Sequence, residues 1–334
     1  MMNTLKESEQ ELVTTYTLVY NHGPYLRQCL EGLVMQKTNF RFKCFVHDDA
    51  STDDSAAIIK EYVDKYPDMF DVVLETENQY SKHDGSLARI VAQHLKGKYV
   101  AMCEGDDYWT DPLKLQKQVS FLESHPDYSA ACSRTKQYSQ SKGTFLQQDV
   151  FCADHDEDVP TEDIIRKGGL YLASCSLVYK REVRSNNYPE YCKKCHVGDY
   201  PLQIMCAMKG KVRYFNDAMG VYRVDNSHSW VGQTRYMGMT DRKIKGILSE
   251  LTMLKGFMVD YPVYKKAFLD RIGEYLFVMI RNTEKADKQK FYQAVQPFVT
   301  LLDWRWKLLI NAFLSDHRIF QSATYRLNSK RINY

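Results

Sequence analysis

The sequence predicts an α/β fold, a mostly parallel sheet with flanking helices, followed by a C-terminal helical extension. In the first 130 residues, short β-rich segments alternate with segments of helical periodicity, which is typical of a parallel sheet covered by helices. Beyond about residue 232 the pattern is nearly all helical and rich in aromatic and basic residues. We therefore divide the chain into a first domain, residues 1–232, and a helical extension, residues 233–334.

The composition is that of a globular protein. The 334 residues are 44% hydrophobic and 26% charged, which excludes a disordered or collagen-like chain. Lysine and arginine number 45 against 42 acidic residues, and the resulting charge of +3 is too small to indicate a nucleic-acid partner. Residues 1–10 are polar, without the apolar run of a signal peptide, so we expect a cytoplasmic protein.

The cysteines indicate free thiols. Nine of them are scattered along the chain, which suits buried thiols better than a disulfide framework. The run Cys192-Lys193-Lys194-Cys195-His196 has the spacing of a haem attachment or of half a zinc site, but no second ligand pair accompanies it. We interpret this run as a loop.

The strands and helices follow one another along the first domain. Leu12 to Tyr20 is rich in Val, Thr and Tyr and predicts the first strand. A helix follows the turn at residues 21–24, with its apolar face formed by Leu26, Cys29, Leu30 and Leu33. Further strands are predicted at Phe42 to His47, Val72 to Leu74 and Tyr99 to Cys103. Three helices are predicted among them. The first carries Ile59, Tyr62, Val63 and Tyr66 on one face, the second spans Leu87 to Leu95, and the third begins at Asp111-Pro112. The remaining elements are an irregular segment over residues 133–158, a helix over Thr161 to Lys167, a strand over Leu170 to Tyr179, a helix over Tyr200 to Lys209 and a strand over Val212 to Phe215.

Two acidic clusters follow predicted strands, Asp48 to Ser55 and Glu104 to Asp107. In open α/β sheets the carboxyl ends of strands form the ligand crevice. Asp106 and Asp107 are adjacent like charges, and a hard divalent cation, Mg²⁺ or Mn²⁺, would relieve their repulsion and bind substrate phosphates. The alternative is an acidic cap at a helix start, and we favour the metal site.

The first acidic cluster is not a calcium loop. Counted from Asp49, position six is Asp54, where glycine is needed, and position twelve is Lys60, where glutamate is needed. No Gly-x-Gly-x-x-Gly motif follows the first strand and no Gly-Lys-Ser/Thr phosphate loop is present, which weakens dehydrogenase and ATPase interpretations. We therefore expect carboxylates to bind the nucleotide. A third carboxylate, Asp199, opens a predicted helix and is either a helix cap or, next to an electrophile, a general base.

Five motifs occur in order along the chain: Tyr20-Asn21, Asp48-Asp49-Ala50-Ser51-Thr52-Asp53, Glu104-Gly105-Asp106-Asp107-Tyr108-Trp109-Thr110-Asp111-Pro112, Gly198-Asp199-Tyr200-Pro201-Leu202 and Tyr222-Arg223. In this order and spacing they resemble the family 2 glycosyltransferases with the GT-A, Rossmann-like fold. The resemblance covers about residues 10–232. It implies an inverting, metal-dependent transfer of a sugar from a nucleotide-diphosphate donor.

The resemblance also implies donor-binding roles for individual residues. It assigns Tyr20 to stacking on the nucleotide base and Asp49 to the edge of that base. It adds Ser51 and Arg89 to the nucleotide-sugar site and places Asp106 near the ribose and the metal.

The metal and the acceptor side follow from the same resemblance. Asp107 is the implied ligand of Mn²⁺ or Mg²⁺, and Asp199 is the implied base that deprotonates the acceptor hydroxyl. The histidine that often completes the family's metal site is replaced by Asp225, with His228 three positions further on. We favour His228 as the ligand over Asp225, against the alternative of a surface-loop histidine.

A second departure concerns the end of the first strand. Leu18 and Val19 replace the proline and the small hydroxyl residue that often precede Tyr-Asn, so the resemblance gives no side-chain contact with the nucleotide there.

The C-terminal region interleaves apolar and basic residues: Phe298, Val299, Leu301, Leu302, Trp304, Arg305, Trp306, Lys307, Leu308, Leu309, Phe313, Arg318 and Arg326. Such a pattern is typical either of a helix on a membrane surface or of one packed in a protein core. We favour packing against the first domain, with peripheral contact at the cytoplasmic membrane face as the alternative.

These observations favour a hexosyltransferase that uses a UDP-hexose or UDP-N-acetylhexosamine and a glycan or lipid-linked acceptor, in the synthesis of a polysaccharide or other glycan. A nucleotidyltransferase is one alternative, but Asn21-His22-Gly23-Pro24 is not its glycine-rich basic loop. A catalytically silent glycan-binding or scaffold protein is another, and we would expect it to lack Asp107 or Asp199, which are both present.

Overall fold

The computed structural model describes residues 11–82, 84–184, 188–225 and 239–315. They form two compact units. The first holds the described residues of Met1–Thr161, Gly169–Tyr188 and Leu202–Gly232, and the second holds those of Glu162–Gly168, Pro189–Pro201 and Gln233–Tyr334. The second unit therefore contains two short segments from the earlier part of the chain besides the C-terminal helices.

The strands and helices alternate through the first unit and give way to helices in the second. The strands are β1 (Val13–Val19), β2 (Phe42–Asp48), β3 (Phe70–Leu74), β4 (Tyr99–Met102), β5 (Tyr108–Trp109), β6 (Tyr128–Ser139), β7 (Thr144–Phe145), β8 (Glu157–Asp158), β9 (Val178–Lys180) and β10 (Lys211–Val224). The α-helices are α1 (Gly23–Val34), α2 (Ser55–Lys65), α3 (Ser86–His94), α4 (Lys114–Ser124), α5 (Thr161–Lys167), α6 (Glu190–Lys193), α7 (Asp199–Lys209), α8 (Asp241–Asp260), α9 (Lys265–Asn282), α10 (Lys285–Val299) and α11 (Trp304–Leu314).

The strands form one sheet in the order β3-β2-β1-β4-β9-β6-β10-β5, with β7 paired to β6 and β8 to β10. β1 to β4 are parallel, whereas β9 runs antiparallel between β4 and β6. In the register, Val19 pairs with Asp48 and Tyr16 pairs with Met102. The ends of β1, β2 and β4 therefore lie at the same edge of the sheet, and the predicted α/β fold is confirmed.

The helices of the first unit bury the faces that the apolar spacing predicts. α1 buries Leu26, Cys29, Leu30 and Leu33, and α4 buries Leu115, Val119 and Leu122. These side chains share one core with apolar side chains of β1, β2 and β4. Because a large apolar side chain contributes about 1.5–3 kcal/mol when fully buried, this face fixes both helices on the sheet.

Three predicted segments differ from the structure. The strand predicted over Val212 to Phe215 is much longer, because β10 continues to Val224. Residues 133–158 were expected to be irregular, but β6 continues to Ser139 and pairs with β10 along most of its length. The small and polar side chains of β6 gave no apolar signal, and the strand depends on pairing with a distant segment. The predicted strand over Leu170 to Tyr179 was too long, because it contains a 3₁₀ turn, Ser174–Ser176, and the strand β9 begins only at Val178.

The second unit is helical, as predicted for the C-terminal region. α8, α9, α10 and α11 bury apolar faces against one another, including Leu251, Phe257, Ile272, Phe291 and Leu309. Trp306 packs against Gly273 of α9, where a Cβ atom would lie 2.5 Å from the indole ring. The close packing of α11 on α9 therefore requires glycine at this position.

The interleaved segment near the C-terminus is partly buried within its own unit. Val299, Leu302, Trp306 and Leu309 are at most 4% exposed, whereas Trp304 is 66% exposed. These four side chains are therefore buried, whereas packing against the first domain stays a prediction. Arg318, Arg326 and their neighbours lie outside the described residues. No helix in the described part of the chain has the length and apolar character to span a bilayer. All nine cysteines are free thiols, as the sequence predicts.

Candidate functional site

The turn after β1 is fastened to the loop after β2 by hydrogen bonds. Asn21 has a left-handed backbone, with φ of 55°, and its N–H donates to Ser51 Oγ at 2.9 Å. The Asn21 side chain accepts from the Thr52 N–H at 2.7 Å, and the Ser51 hydroxyl donates to the Asp48 carboxylate. Ser51, a predicted donor-binding residue, therefore joins the two loops.

Tyr20 lies between β1 and this turn. It is 44% exposed, whereas the preceding Val19 is 1% exposed and belongs to the core. An exposed ring at a fixed strand end offers a face to a planar group. This surface is what base stacking requires, and the role of Tyr20 stays a prediction.

Asp49 is buried and bound to the chain that follows β3. It is 4% exposed, and its two carboxylate oxygens accept the N–H groups of Gln79 at 2.6 Å and Tyr80 at 3.0 Å. The Asn78 side-chain amide also donates to the Asp49 carbonyl at 3.1 Å. Because each carboxylate oxygen accepts two hydrogen bonds, Asp49 retains acceptor capacity for a base N–H.

Arg89 lies on α3 and is held by the start of its own helix. Its guanidinium donates to the Asp84 carbonyl at 2.8 Å and to Ser86 Oγ at 2.9 Å, and the side chain is 63% exposed. The predicted contact between Arg89 and a nucleotide stays a prediction.

The acidic turn after β4 approaches the end of β1 closely. The Gly105 N–H donates to the Leu18 carbonyl at 3.0 Å. A Cβ atom at Gly105 would lie 2.7 Å from His22 Nδ1 and 3.1 Å from the same carbonyl. Glycine is thus required for this approach, which brings the predicted metal-binding turn beside the predicted base-binding loop.

Arg223, at the end of β10, organises the Asp106-Asp107 turn. Its backbone N–H donates to Asp107 Oδ1 and its Nε donates to the Asp106 carbonyl, both at 2.8 Å. The two terminal nitrogens donate to the side chains of Gln28 and Gln140 at 2.9 Å. The guanidinium also packs on three aromatic rings, those of Tyr25, Tyr108 and Tyr138. Arg223 therefore binds the turn through both its backbone and its side chain.

Asp107 is a buried carboxyl group in the acidic turn after β4. It is 1% exposed, and burial together with the charges of Asp106 and Glu104 raises its pKa well above its ordinary value, although the Arg223 N–H donates to its Oδ1. Its Oδ2 atom is buried and accepts no hydrogen bond within the described residues. A buried carboxylate oxygen of this kind fits a hard divalent cation, whose charge would favour the ionised form.

The remaining metal ligand is not identified by the structure. His228 lies outside the described residues. Asp225 has a left-handed backbone, with φ of 58°, and its carboxylate accepts from Ser139 Oγ at 3.0 Å. In the part of the chain that the structure describes, no three or more His, Cys, Asp or Glu side chains are grouped as a metal site.

Asp199 belongs to the second unit and begins α7. Its Oδ1 accepts the Tyr200 N–H at 2.8 Å, and burial raises the pKa of its carboxyl group. Glu250 of α8 is a second carboxyl group close enough for Asp199 to raise its pKa. A base with a raised pKa accepts a proton more readily, which is compatible with either a cap or a catalytic carboxylate.

Two of these side chains are not recognisable as functional from the sequence. Arg223 was part of a quoted motif, but its contacts with Asp106 and Asp107 depend on strand pairing that no local pattern shows. Glu250 lies within an ordinary amphipathic helix, and only a charged residue at a buried position would have indicated it.

Comparison with known proteins gives the family. Residues 15–184 match the family model described as glycosyl transferase family 2. An uncharacterized protein of Mycobacterium tuberculosis is 30% identical over 227 residues, which are 68% of this chain and 61% of that protein. The chain therefore spans less than two thirds of the length of this relative.

Solved structures share the fold. The Staphylococcus aureus protein TarS, residues 1–349 in complex with UDP-GlcNAc, superposes with a TM-score of 0.68 at 13% identity, covering 96% of this chain and 93% of TarS. The mannosyltransferase PcManGT of Pyrobaculum calidifontis, in complex with GDP-Man and Mn²⁺, gives a TM-score of 0.52 at 16% identity, covering 95% and 84%. The mixed α/β architecture is thus that of GT-A glycosyltransferases.

Proposed function

Because this chain belongs to glycosyl transferase family 2, we propose that it transfers a sugar from a nucleoside diphosphate donor to a hydroxyl group of an acceptor. The observation that carries the proposal is the buried Asp107 carboxylate beside Asp106, with one oxygen held by Arg223 and the other accepting no hydrogen bond from the described residues. A donor whose diphosphate group binds together with a divalent cation suits this arrangement.

The proposed donor site lies on loops that hydrogen bonds hold together. Tyr20 offers a ring for the base, and Asp49 offers acceptor capacity for a base N–H. Ser51 keeps the two loops at a fixed separation. We assign the nucleotide to this edge of the sheet, with UDP as first candidate because TarS is in complex with UDP-GlcNAc. PcManGT is in complex with GDP-Man, so GDP is the second candidate.

Asp107, with His228 or Asp225, would hold Mn²⁺ or Mg²⁺. When bound, the cation neutralises the charge that develops on the departing nucleoside diphosphate. Arg223 binds the Asp107 carboxylate through its backbone N–H and the Asp106 carbonyl through Nε, which orients the turn before the donor arrives, so that little reorganisation is needed during the reaction.

Asp199 is our proposed base. Its carboxylate takes the proton of the acceptor hydroxyl while that oxygen forms a bond to the anomeric carbon. The bond from the anomeric carbon to the diphosphate oxygen breaks, and its electron pair leaves with the nucleoside diphosphate. A single displacement of this kind inverts the anomeric centre. The raised pKa of the Asp199 carboxyl group, caused by burial, supports its role as the base.

We further propose a hexose or N-acetylhexosamine as the transferred sugar and a glycan or lipid-linked saccharide as the acceptor. A nucleotidyltransferase is less consistent with the family to which the chain belongs. A catalytically silent binding protein would have no need for a buried carboxylate oxygen that, like Asp107 Oδ2, accepts no hydrogen bond from the described residues.

Replacement of Asp199 tests the catalytic step. With Mn²⁺, a panel of UDP-sugars and GDP-sugars and a panel of saccharide acceptors, release of nucleoside diphosphate measures transfer. Asp199→Asn keeps the hydrogen-bond acceptor for the Tyr200 N–H but removes the base, so transfer falls by at least about 100-fold. Nucleotide affinity stays within about threefold, because the base contributes to the reaction rather than to donor binding.

Asp241→Asn is the matched control. Asp241 is also a carboxylate in the first turn of a helix, and it is 78% exposed and paired with Lys290. We expect parental transfer from this variant. Equal losses in the two variants would reduce Asp199 to a helix cap, and loss of nucleotide binding in Asp199→Asn would also contradict its role as base.

A further inference from the structure

Glu250 lies at the centre of a polar cluster inside the second unit. Its side chain, on the middle of α8, is 14% exposed, and its Oε1 atom lies 3.4 Å from His196 Nε2. The hydroxyl of Tyr275, on α9, donates to the same oxygen at 2.8 Å. A carboxyl group at a largely buried position is unusual unless its neighbours use or compensate its charge.

His196 fastens the segment before Asp199 to α8. Its backbone N–H donates to Ser249 Oγ at 3.1 Å, and its Nδ1 lies 3.0 Å from the same hydroxyl. The imidazole ring also packs on Gly246, where a Cβ atom would lie 3.2 Å from Nε2. The start of α7, which carries Asp199, is therefore held against the helix that carries Glu250.

The two carboxyl groups affect each other electrically. The pKa of Glu250 is raised to about 7, mainly by burial and in smaller part by the negative charge of Asp199, against the lowering effects of Tyr275 and Arg271. Burial also raises the pKa of Asp199. The repulsion between the two carboxylates therefore contributes to the raised pKa of Glu250.

The groups around Glu250 come from two segments besides α8. They are Cys195, His196, Asp199 and Tyr200 before and at the start of α7, and Arg271 and Tyr275 on α9. Arg271 is the cation among them, and it lies over the rings of Tyr200 and Tyr275 at 5.8 and 5.4 Å.

We propose that Glu250 is a positioning residue for the acceptor side of the reaction, whose negative charge makes Asp199 a stronger base. This inference rests on the proposed function. It gives the C-terminal helices a part in the chemistry, because α8 supplies Glu250 and α9 supplies its two modulating partners, Arg271 and Tyr275.

The coupling makes the base depend on pH. Below about pH 7 Glu250 keeps its proton, and Asp199 faces a neutral neighbour. Above it Glu250 is negatively charged, and uptake of the acceptor proton by the Asp199 carboxylate relieves the repulsion between the two groups. Transfer should therefore rise as the pH passes through about 7.

The pH profile of kcat/KM tests this proposal. Glu250→Gln keeps the size of the side chain and an acceptor for Tyr275 but removes the charge. We expect the acid limb near pH 7 to move down by about one unit, and kcat/KM at about pH 8 to fall about threefold. Glu250→Asp retains a carboxylate and should restore a limb near neutral pH. A limb near pH 7 that persists in Glu250→Gln would overturn the proposal.

Glu274→Gln is the matched control. Glu274 is a carboxyl group on α9 whose side chain is 19% exposed, and it lies 3.8 Å from Arg271. Because Asp199 does not contribute to its titration, its removal should leave the acid limb where it is in the parent protein. A shifted limb in this variant as well would mean that any nearby charge has the same effect, which would contradict the specific role of Glu250.

A measurement without turnover separates this inference from the proposed function. The ¹³C carboxyl signal of Glu250, identified by its absence in Glu250→Gln, is titrated in the parent protein and in Asp199→Asn. Removal of the neighbouring charge should lower its pKa by about half a unit or more. An unchanged titration would overturn the coupling. Absence of transfer by the parent protein would instead overturn the proposed function, so the two failures are distinct.

Discussion

Arg223 is the side chain on which the geometry of Asp106 and Asp107 most depends. Its backbone and side chain bind both residues of the turn, and its guanidinium is fixed by two glutamines and three aromatic rings. A lysine would keep the backbone N–H bond to Asp107. Its ammonium group cannot reproduce the bonds that the forked guanidinium makes at fixed angles to the Asp106 carbonyl and the two glutamines. The orientation of the proposed metal ligand therefore depends on this residue.

Arg223→Lys is expected to weaken metal binding. Loss of a partner that orients a metal-binding residue typically costs about 10- to 100-fold in affinity or activity. We expect a fall of that size in Mn²⁺ affinity, measured by the Mn²⁺ dependence of nucleotide binding. Arg213→Lys is the control, because Arg213 is also on β10 and pairs with Asp158 instead. Unchanged Mn²⁺ affinity in Arg223→Lys would contradict the orienting role.

At the scale of elements, a buried lysine joins α4 to the 3₁₀ turn before β9. Lys114 is fully buried, and its Nζ donates to the Ser176 carbonyl at 3.0 Å and to the Gln118 side chain. It also lies 4.9 Å from the ring of Trp109, whose indole N–H donates to the Cys175 carbonyl. This connection explains why residues before β9 form a turn where a strand was expected.

Burial of Lys114 predicts a change of stability with pH. Burial lowers its pKa from 10.5 to about 8. Between these values the unfolded chain holds a proton that the folded protein lacks, so stability rises with pH across this window, by at most about 3 kcal/mol. Lys114→Met should lose this rise. Urea unfolding of both proteins at about pH 7.5 and 9.5 measures it, and an equal rise in the variant would contradict the explanation.

The parallel half of the sheet could be predicted from sequence because its signals are local. β1, β2 and β4 have apolar, β-branched residues, and α1 has a regular apolar face. β6 could not be predicted in full, because its outer half is extended only where β10 pairs with it. The site divides in the same way: Asp107 follows a recognisable strand, whereas Arg223 and Glu250 depend on contacts across the fold.

At the scale of the molecule, the described residues divide into two units, and each contains one element of the proposed chemistry. The first holds the donor-binding loops and Asp107, and the second holds Asp199 with Glu250. The domain boundary at residue 232, the donor-binding roles and the third metal ligand stay predictions. The proposed function makes one claim before all others: the acidic turn binds a nucleoside diphosphate together with a divalent cation.

Thermal stability with UDP, GDP or CDP, each with Mn²⁺ or with a chelator, tests that claim most directly. A ligand at about a hundred times its dissociation constant adds about 2.7 kcal/mol, which raises the melting temperature by a few degrees. We expect UDP or GDP to stabilise the parent protein only when Mn²⁺ is present, and not to stabilise Asp107→Asn. Asp217→Asn, which replaces an exposed carboxylate, is the control and should behave as the parent protein does. Equal stabilisation with the chelator, or in Asp107→Asn, or no response to any nucleotide, would contradict the account.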